Sequence, residues 1–315
     1  MEAQKRVLLI INPCAGRNNK RVGTIDVINR LSSSNCTFTT KSTRCQGDAI
    51  TIVKEYAPDH DMIICCGGDG TLNEIVNGLM KIDRKIPIGY IPCGSTNDFA
   101  STLGIPIGIS AASDMIVSGK KNSYDVGSLN GRNFCYVASF GVGTEISYNT
   151  PQSMKNLFGH TAYIINGFVI HIIPTLKNFK PVQMRVEYDG GVIDDKIYFG
   201  ALANTTSVAG LFKFDDIKLN DGYFELLLVR GIKRNMEMFK YLDRIIHKDY
   251  DGEHIMLVKT KHVKITSEKG IAWTLDGEYG GTYTESVLDV HHNAFEIFSD
   301  NNKLFLPAEE SALMK

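Results

Sequence analysis

The feature that most constrains the fold is the stretch from Met62 to Met80, MIICCGGDGTLNEIVNGLM. It begins with an unbroken apolar run, which is typical of a strand covered on both faces. Two glycines, an aspartate and a third glycine follow, and the apolar residues after them recur at helical spacing. The stretch therefore predicts a buried strand, a tight glycine hinge and a helix, in that order.

The same alternation of strand and helix recurs through the first third of the chain. Strands are predicted at KRVLLIINP, CTFTTK and IPIGYIP, and helices at 18–31 and 47–57. Repeated β-α units with short links favour a parallel sheet with helices on its faces. We therefore predict an α/β, doubly wound N-terminal domain over residues 1–122.

From about Tyr124 onward, strand-like segments follow one another directly. Several show period-2 alternation and are separated by Gly, Asp or Asn, which predicts a mainly antiparallel β-sandwich as a second domain over residues 123–315. Helices are predicted within it at 153–177 and 235–247. The C-terminal PAEESALMK is compatible with a short helix or a loose tail, and with a segment that packs back on the first domain.

Composition excludes several classes of protein. A net charge of -1 and a pI near 6.7 provide no electrostatic field that would recruit nucleic acid. The most apolar long segment, 160–176, meets Pro174 well short of the roughly 20 apolar residues that a membrane span needs. The seven cysteines have no zinc-like spacing and predict reduced thiols, as in a cytoplasmic protein.

The glycine hinge has two interpretations. Glycines permit close approach of backbone to a ligand, and a helix start offers free N–H groups to an anion, so Gly67, Gly68 and Gly70 are typical of a phosphate-binding loop. Asp69 would then hold or position a metal ion. Thr71 and Glu74 match a capping box, which favours a structural role for Glu74. The alternative is a simple turn.

The loops after the neighbouring strands favour the phosphate-binding interpretation. NPCAGR (12–17) follows the first strand, KSTRCQGDA follows the second, and PCGSTNDF (92–99) follows the fourth. The carboxyl ends of parallel strands lie at one edge of a sheet, where open α/β sheets bind ligands. Neither a P-loop consensus nor a dinucleotide fingerprint is present.

Taken together, these blocks resemble the diacylglycerol kinase catalytic-domain family of bacterial soluble lipid kinases, which is related to sphingosine and ceramide kinases. The resemblance covers essentially the whole chain. It is carried by NPCAGR, GDA (47–49), GGDGTLNEIVNG (67–78), IPCGSTNDFA (91–100), NDGYFE (220–225) and LDGE (275–278).

The resemblance implies an ATP site that binds phosphate mainly through backbone donors. The implied nucleotide contacts are Asn12, Pro13, Gly16, Arg17, Thr43, Gly67, Gly68, Asp69, Gly70, Thr71, Asn73, Glu74 and Ser95. Asp69 matches the aspartate that organises catalytic Mg²⁺ and the γ-phosphate. Arg17 stands where lysine is common, which keeps the charge but changes its geometry.

The resemblance also implies catalytic and metal-binding residues in the second half of the chain. Glu278 matches the general base that takes the proton of the lipid hydroxyl, and Asp276 would support metal or hydroxyl geometry. Lys218, Asp221 and Tyr223 would bind a second, structural Mg²⁺. The residues alone favour a hairpin turn at Asp276-Gly277, and an Asp-Gly hairpin is the alternative to the metal site at 221–222.

The expected function is that of an ATP- and Mg²⁺-dependent kinase that phosphorylates a lipid at a membrane surface, with diacylglycerol as the leading acceptor. The alternatives are another lipid acceptor of sphingoid, ceramide or phosphatidylglycerol type, a soluble acceptor as in NAD kinases, or a nucleotide-sensing protein without turnover. Exposed strand edges in the second domain are compatible with a homodimer.

Overall fold

The computed structural model describes residues 4–16, 24–32, 35–95, 97–142, 179–208, 212–214, 216–232, 234 and 237–314. The chain divides into two compact units. Unit 1 comprises Met1–Asp125, Lys218–Asp221 and His292–Lys315, and unit 2 comprises Val126–Ile217 and Gly222–His291. Residues 292–315 thus belong to unit 1. The domain prediction counted them with the second domain, with the provision that the C-terminal segment could pack on the first domain.

Unit 1 is built on a parallel sheet. Its strands are β1 (Lys5–Ile11), β2 (Cys36–Ser42), β3 (Met62–Gly67) and β4 (Ile88–Pro92), in the spatial order β2-β1-β3-β4. Every residue of β3 and β4 is buried, as their apolar runs predict. Strands with this degree of burial require helices on both faces of the sheet.

Helices follow the strands in regular alternation. They are α1 (Thr24–Ser32), α2 (Asp48–Tyr56), α3 (Asp69–Leu79), α4 (Asp98–Leu103) and α5 (Ile109–Ser118). Helix α3 buries Leu72, Ile75, Val76 and Leu79, at the spacing of one helical face. The predicted parallel α/β architecture is confirmed.

Unit 2 is mainly antiparallel. Its elements are β5 (Lys121–Leu129, which begins in unit 1), β6 (Arg132–Phe134), β7 (Val137–Gly141), β8 (Val182–Tyr188), β9 (Gly191–Ala203), β10 (Ser207–Val208), β11 (Phe212–Lys213), β12 (Phe224–Arg230), α6 (Met238–Ile246), β13 (Ile255–Thr260), β14 (His262–Leu275) and β15 (Glu278–Phe298, which ends in unit 1). The strand order is β13-β12-β9-β7-β14-β15, and β8 pairs with both β9 and β14. The predicted antiparallel second domain is confirmed.

The core of unit 2 is aromatic as well as aliphatic. Phe140 and Trp273 lie edge to face with ring centroids 4.7 Å apart, and Phe134 and Phe224 lie 5.7 Å apart. The indole N–H of Trp273 donates to Ser286 Oγ at 2.9 Å, so the buried ring leaves no orphaned donor.

Several strand boundaries differ from the prediction. The segment 133–143 was predicted as one strand, but its described part forms β6 and β7 with a corner at 135–136. The segment 254–266 is likewise divided into β13 and β14, whereas two predicted C-terminal strands form the single strand β15. Helix α6 confirms the helix predicted at 235–247, and the helix predicted at 153–177 lies outside the described residues.

The end of the chain forms a short helix, α7 (Ala308–Ala312), so the loose-tail alternative is wrong. Ser311 Oγ donates to Asn220 O at 2.6 Å, and His292 Nε2 lies 3.1 Å from Ser311 Oγ. The side chain of Asn220 exchanges two hydrogen bonds with the backbone of Leu306. This buried polar network fixes the C-terminal segment within unit 1.

Candidate active site

The strand order of unit 1 changes direction between β1 and β3. From this point the chain proceeds to β2 on one side and to β4 on the other. In open parallel sheets this is the switch point, where a crevice forms outside the carboxyl ends of the strands and ligands bind. The two loops that leave the sheet here are Asn12–Gly16, after β1, and the glycine hinge that begins α3.

Asn12 joins these two loops. Its Nδ2 donates to Thr71 Oγ1 at 2.9 Å, and its Oδ1 accepts from Cys14 N at 2.9 Å. The side chain therefore shapes the turn instead of projecting from it. Cys14 N and Ala15 N both donate to Asn12, whereas Gly16 is exposed, so its N–H is accessible to a phosphate.

Two glycines allow the loops at the edge to approach one another closely. Gly16 has φ +89°, and a Cβ at this position would lie 2.6 Å from Cys93 O. A Cβ on Gly68 would lie 3.1 Å from Gly94 Cα. The loops after β1, β3 and β4 thus pack with their backbones in contact, and larger residues at these positions would force them apart.

Asp69 lies in the first turn of α3, but its carboxylate accepts hydrogen bonds from the start of α4. Oδ2 accepts from Asp98 N at 2.9 Å, and Oδ1 accepts from Phe99 N at 3.3 Å and from Tyr90 OH at 3.4 Å. Burial raises the pKa of the Asp69 carboxyl, and these donors oppose the rise. Asp69 therefore connects the GGDG hinge to the NDFA block.

Asp98 is a candidate site residue that the sequence prediction did not single out. Burial, reinforced by the negative charge of Asp69, raises the pKa of its carboxyl to about 6. Two neighbouring, partly buried carboxylates favour a cation beside them. The available indication in the sequence was an acid that starts a helix directly after a Gly-Ser loop, at the edge where the other loops end.

The pair Asp69 and Asp98 fits a magnesium ion. Mg²⁺ is usually bound in proteins by one or two carboxylates, with water and substrate phosphates completing its shell. Among the described residues there is no cluster of three or more His, Cys, Asp or Glu arranged to hold a metal. The donor set thus suits a metal that arrives with a nucleotide better than one held by protein ligands alone.

Asn97 closes the loop between β4 and α4. It has φ +53°, and its side chain forms two reciprocal bonds of 2.9 Å with the backbone N and O of Gly94. Asparagine tolerates the left-handed region better than most residues, which explains the amide at this position. Asn97 was quoted in the motif, but its structural role could not be read from the motif alone.

The predicted capping box between Thr71 and Glu74 is wrong. The N-cap of α3 is Gly68, and no side chain caps this helix. Glu74 Oε1 accepts from Gly47 N at 2.8 Å and Oε2 accepts from Ala49 N at 3.1 Å, so Glu74 binds the first turn of α2. The capping hypothesis identified the correct chemistry, a carboxylate at a helix N-terminus, but on the wrong helix.

Of the remaining predicted nucleotide contacts, those that the structure describes lie at the same edge of the unit 1 sheet. Thr43 is buried and its N donates to the end of β1, while Ser95 and Gly70 are exposed. Asn73 accepts hydrogen bonds from the next turn of α3 through its backbone and side-chain oxygens. Arg17 lies outside the described residues. Contacts of these residues with ATP stay predictions.

In unit 2, Asp276 and Gly277 form the two-residue turn between β14 and β15. Both have positive φ, +47° and +84°, and Leu275 pairs with Glu278 across the turn. This is the arrangement of a tight hairpin, so the predicted Asp-Gly hairpin is confirmed. Glu278, directly after the turn, is exposed.

The Asp276 carboxylate accepts hydrogen bonds from three successive backbone N–H groups at the β6–β7 corner. The distances are 2.6 Å from Cys135 N, 3.0 Å from Tyr136 N and 3.0 Å from Val137 N. These bonds also explain why the predicted strand is interrupted at 135–136. The catalytic roles assigned to Asp276 and Glu278 stay predictions.

The residues of the predicted structural Mg²⁺ site are in two different units. Lys218 and Asp221 belong to unit 1, and Tyr223 belongs to unit 2. Asp221 is buried, and Lys218 Nζ donates to Lys303 O at 2.6 Å. This second metal site stays a prediction.

Comparison with known proteins identifies the family. The model of the diacylglycerol kinase catalytic domain matches residues 6–129, and that of the YegS C-terminal NAD kinase beta sandwich-like domain matches residues 138–299. The diacylglycerol kinase of Bacillus subtilis (strain 168) is 36% identical over 282 residues, which cover 88% of this chain and 91% of that protein. The chain belongs to the diacylglycerol kinase family.

Other members of the diacylglycerol kinase family agree with this result. The diacylglycerol kinase of Staphylococcus aureus (strain bovine RF122 / ET3-1) is 34% identical over 304 residues, covering 95% of this chain and 94% of that protein. The crystal structure of a Bacillus anthracis protein assigned to the diacylglycerol kinases superposes with a TM-score of 0.79 at 27% identity, covering 94% of this chain and 96% of that one.

These findings confirm the predicted resemblance, the fold class and, at the level of the family, a lipid kinase. No helix among the described residues is long and apolar enough to cross a membrane.

Proposed function

We propose that this member of the diacylglycerol kinase family transfers the γ-phosphate of ATP to the free hydroxyl of diacylglycerol, giving phosphatidic acid. The observation that carries the proposal is the 36% identity to a relative named diacylglycerol kinase over 91% of that relative. The switch-point edge of unit 1, with its glycine and amide loops, supports it independently.

ATP is proposed to bind at that edge of unit 1. The backbone N–H of Gly16 and the N-terminal turn of α3 supply donors suited to phosphate oxygens. Asn12 and Thr71 are bonded to each other, and that bond would hold the two loops in a fixed arrangement before the nucleotide arrives. Arg17, Thr43 and Ser95 are proposed as further contacts.

Mg²⁺ is proposed to accompany the nucleotide, with Asp98 and Asp69 as the acids that favour its binding. A bound Mg²⁺ would neutralise charge that develops on the phosphates during transfer. The three donors on Asp69 hold its carboxylate in place, so its expected contribution is to fix the position of the ion, directly or through water.

Glu278 is proposed as the general base that takes the proton from the acceptor hydroxyl. It is exposed and follows a tight turn, so its position is defined by rigid backbone on one side. Phosphoryl transfer needs mainly positioning and charge neutralisation, so a carboxylate is a sufficient base. The activity is expected at the cytoplasmic surface of a membrane, because the acceptor is a lipid.

A panel of acceptors tests this proposal. Purified protein is incubated with labelled ATP and Mg²⁺ and with mixed micelles of diacylglycerol, ceramide, sphingosine or phosphatidylglycerol, or with NAD in solution. The expected result is transfer to diacylglycerol well above every other acceptor. Transfer to another lipid alone would show that this lipid, and not diacylglycerol, is the acceptor. Transfer to NAD alone would contradict the assignment as a lipid kinase. Nucleotide binding without transfer to any acceptor would contradict enzymatic function.

A further inference from the structure

We infer that Asp276 is a positioning residue that holds the candidate base Glu278, and that it is neither a metal ligand nor a catalytic acid. This inference rests on the proposed function, because it concerns how Glu278 is presented to the acceptor. It assigns Asp276 a role different from the metal or hydroxyl role that the family resemblance implies.

The Asp276 carboxylate already accepts three hydrogen bonds from the backbone. Asp276 Oδ2 accepts from Cys135 N at 2.6 Å, and Oδ1 accepts from Tyr136 N and from Val137 N, each at 3.0 Å. A carboxylate offers about four lone-pair sites, and three of them are used here. A metal at these oxygens would have to compete with three backbone N–H groups for the carboxylate.

The backbone around the turn is bound to the same corner. Asp276 N donates to Val137 O at 2.9 Å, so main chain and side chain of the same residue bind the same corner. Trp273, Thr274 and Leu275 continue this pairing with Phe140, Ser139 and Ala138 along β7. Strand β14 and the first turn residue, Asp276, are therefore hydrogen-bonded to β7.

The path along the chain from Asp276 to Glu278 is short. Only Gly277 separates them, and the turn needs positive φ at both Asp276 and Gly277. Glycine adopts φ +84° without strain, whereas φ +47° at Asp276 carries a cost that the three N–H bonds offset. Removing those bonds would release the conformation that sets the direction of the Glu278 side chain.

Another aspartate of unit 2 provides a matched control. Asp251 Oδ1 accepts from Glu253 N at 3.0 Å, His254 N at 2.7 Å and Ile255 N at 2.9 Å. It therefore performs the same backbone chemistry in the same unit, with an additional ion pair to Arg244. The loop that contains Asp251 carries no proposed site residue. Removing the Asp251 side chain should therefore affect stability alone.

The decisive comparison is between Asp276→Asn and Asp276→Ala in the full chain, with Asp251→Ala as the control. Asparagine keeps a carbonyl oxygen for Tyr136 N and Val137 N but places its NH2 group opposite Cys135 N, so it loses one of the three bonds, whereas alanine loses all three. A misplaced catalytic group costs on the order of 100-fold in rate. We expect kcat to fall about 100-fold in Asp276→Ala and about tenfold or less in Asp276→Asn, with KM for ATP and the Mg²⁺ activation constant unchanged. Asp251→Ala should keep the wild-type kcat.

Equal loss of kcat in the two Asp276 variants, or a tenfold rise in the Mg²⁺ activation constant of Asp276→Asn, would overturn the inference because charge would then be essential. Amide hydrogen exchange gives a readout independent of catalysis: the 132–141 segment should lose protection in Asp276→Ala and keep most of it in Asp276→Asn. Unchanged protection in both variants would overturn the inference. If wild-type protein phosphorylates no lipid, the proposed function fails, and the exchange measurement alone still decides whether Asp276 holds the corner.

Discussion

At the scale of single residues, the partly buried pair Asp69 and Asp98 makes the candidate site sensitive to pH. The pKa of Asp98 is raised to about 6 by burial and by the charge of Asp69. The folded protein therefore keeps a proton on Asp98 between about pH 4 and pH 6, where the unfolded chain has released it. Because the folded state binds more protons in this window, the contribution of Asp98 to the free energy of unfolding falls as pH rises.

Asp98→Asn tests this sign. The variant cannot acquire the buried charge, so without Mg²⁺ it should become more stable than wild type as pH rises from 4 to 7, by on the order of 1–3 kcal/mol at pH 7. Urea denaturation at each pH in the presence of a chelator measures the difference. Asp59→Asn, at an exposed aspartate of the same unit, is the control. A difference that stays constant with pH would show that Asp98 is not perturbed.

At the scale of elements, Glu74 connects helices α3 and α2. Both carboxylate oxygens accept from N–H groups at the N-terminus of α2. Glu74→Ala should therefore lower the free energy of unfolding by about 1–3 kcal/mol, since two partly buried donors lose their acceptor. Thermal or urea denaturation measures the loss, with Glu55→Ala on the exposed surface of α2 as control. Equal stability of the two variants would contradict the assigned role.

The C-terminal helix α7 is fixed by Ser311. Its Oγ donates to Asn220 O, and Asn293 Nδ2 donates to it at 3.0 Å. Ser311→Ala should raise amide exchange throughout 304–312 and cost about 1–3 kcal/mol of stability. Leu313→Ala is the control, because Leu313 is 83% exposed. Wild-type exchange in Ser311→Ala would mean that packing, and not this network, holds the helix.

The elements that depend on local pattern could be predicted from sequence. The apolar runs of β1, β3 and β4, the helical spacing of α3 and the Asp-Gly hairpin at 276–277 all appear where the pattern places them. These features depend on burial and on backbone preferences within a few residues.

Contacts between distant residues could not be predicted in this way. Glu74 binds residues 27 and 25 positions earlier in the chain, and Asp276 binds a corner about 140 positions earlier. A carboxylate in a glycine turn can accept hydrogen bonds from many different donors. The sequence therefore indicates an acceptor but does not identify its donors. The wrong capping box and the interrupted strand at 135–136 both follow from this limit.

At the scale of the whole molecule, sequence blocks in both units contribute candidate residues. The GGDG and NDFA blocks belong to unit 1, and the LDGE block belongs to unit 2. The two family models divide the chain in a similar manner, at residues 6–129 and 138–299. If the protein acts by the proposed mechanism, transfer must depend both on the Asp69 carboxylate of unit 1 and on the Glu278 carboxylate of unit 2.

The most direct test of this account measures ATP-dependent phosphorylation of diacylglycerol in mixed micelles by wild type, Asp69→Ala and Glu278→Gln, each shown to be folded by circular dichroism. We expect transfer by wild type and a loss of about 100-fold or more in both variants, since each removes a group that acts on phosphate, metal or proton. Wild-type rates of lipid phosphorylation in either variant would contradict it.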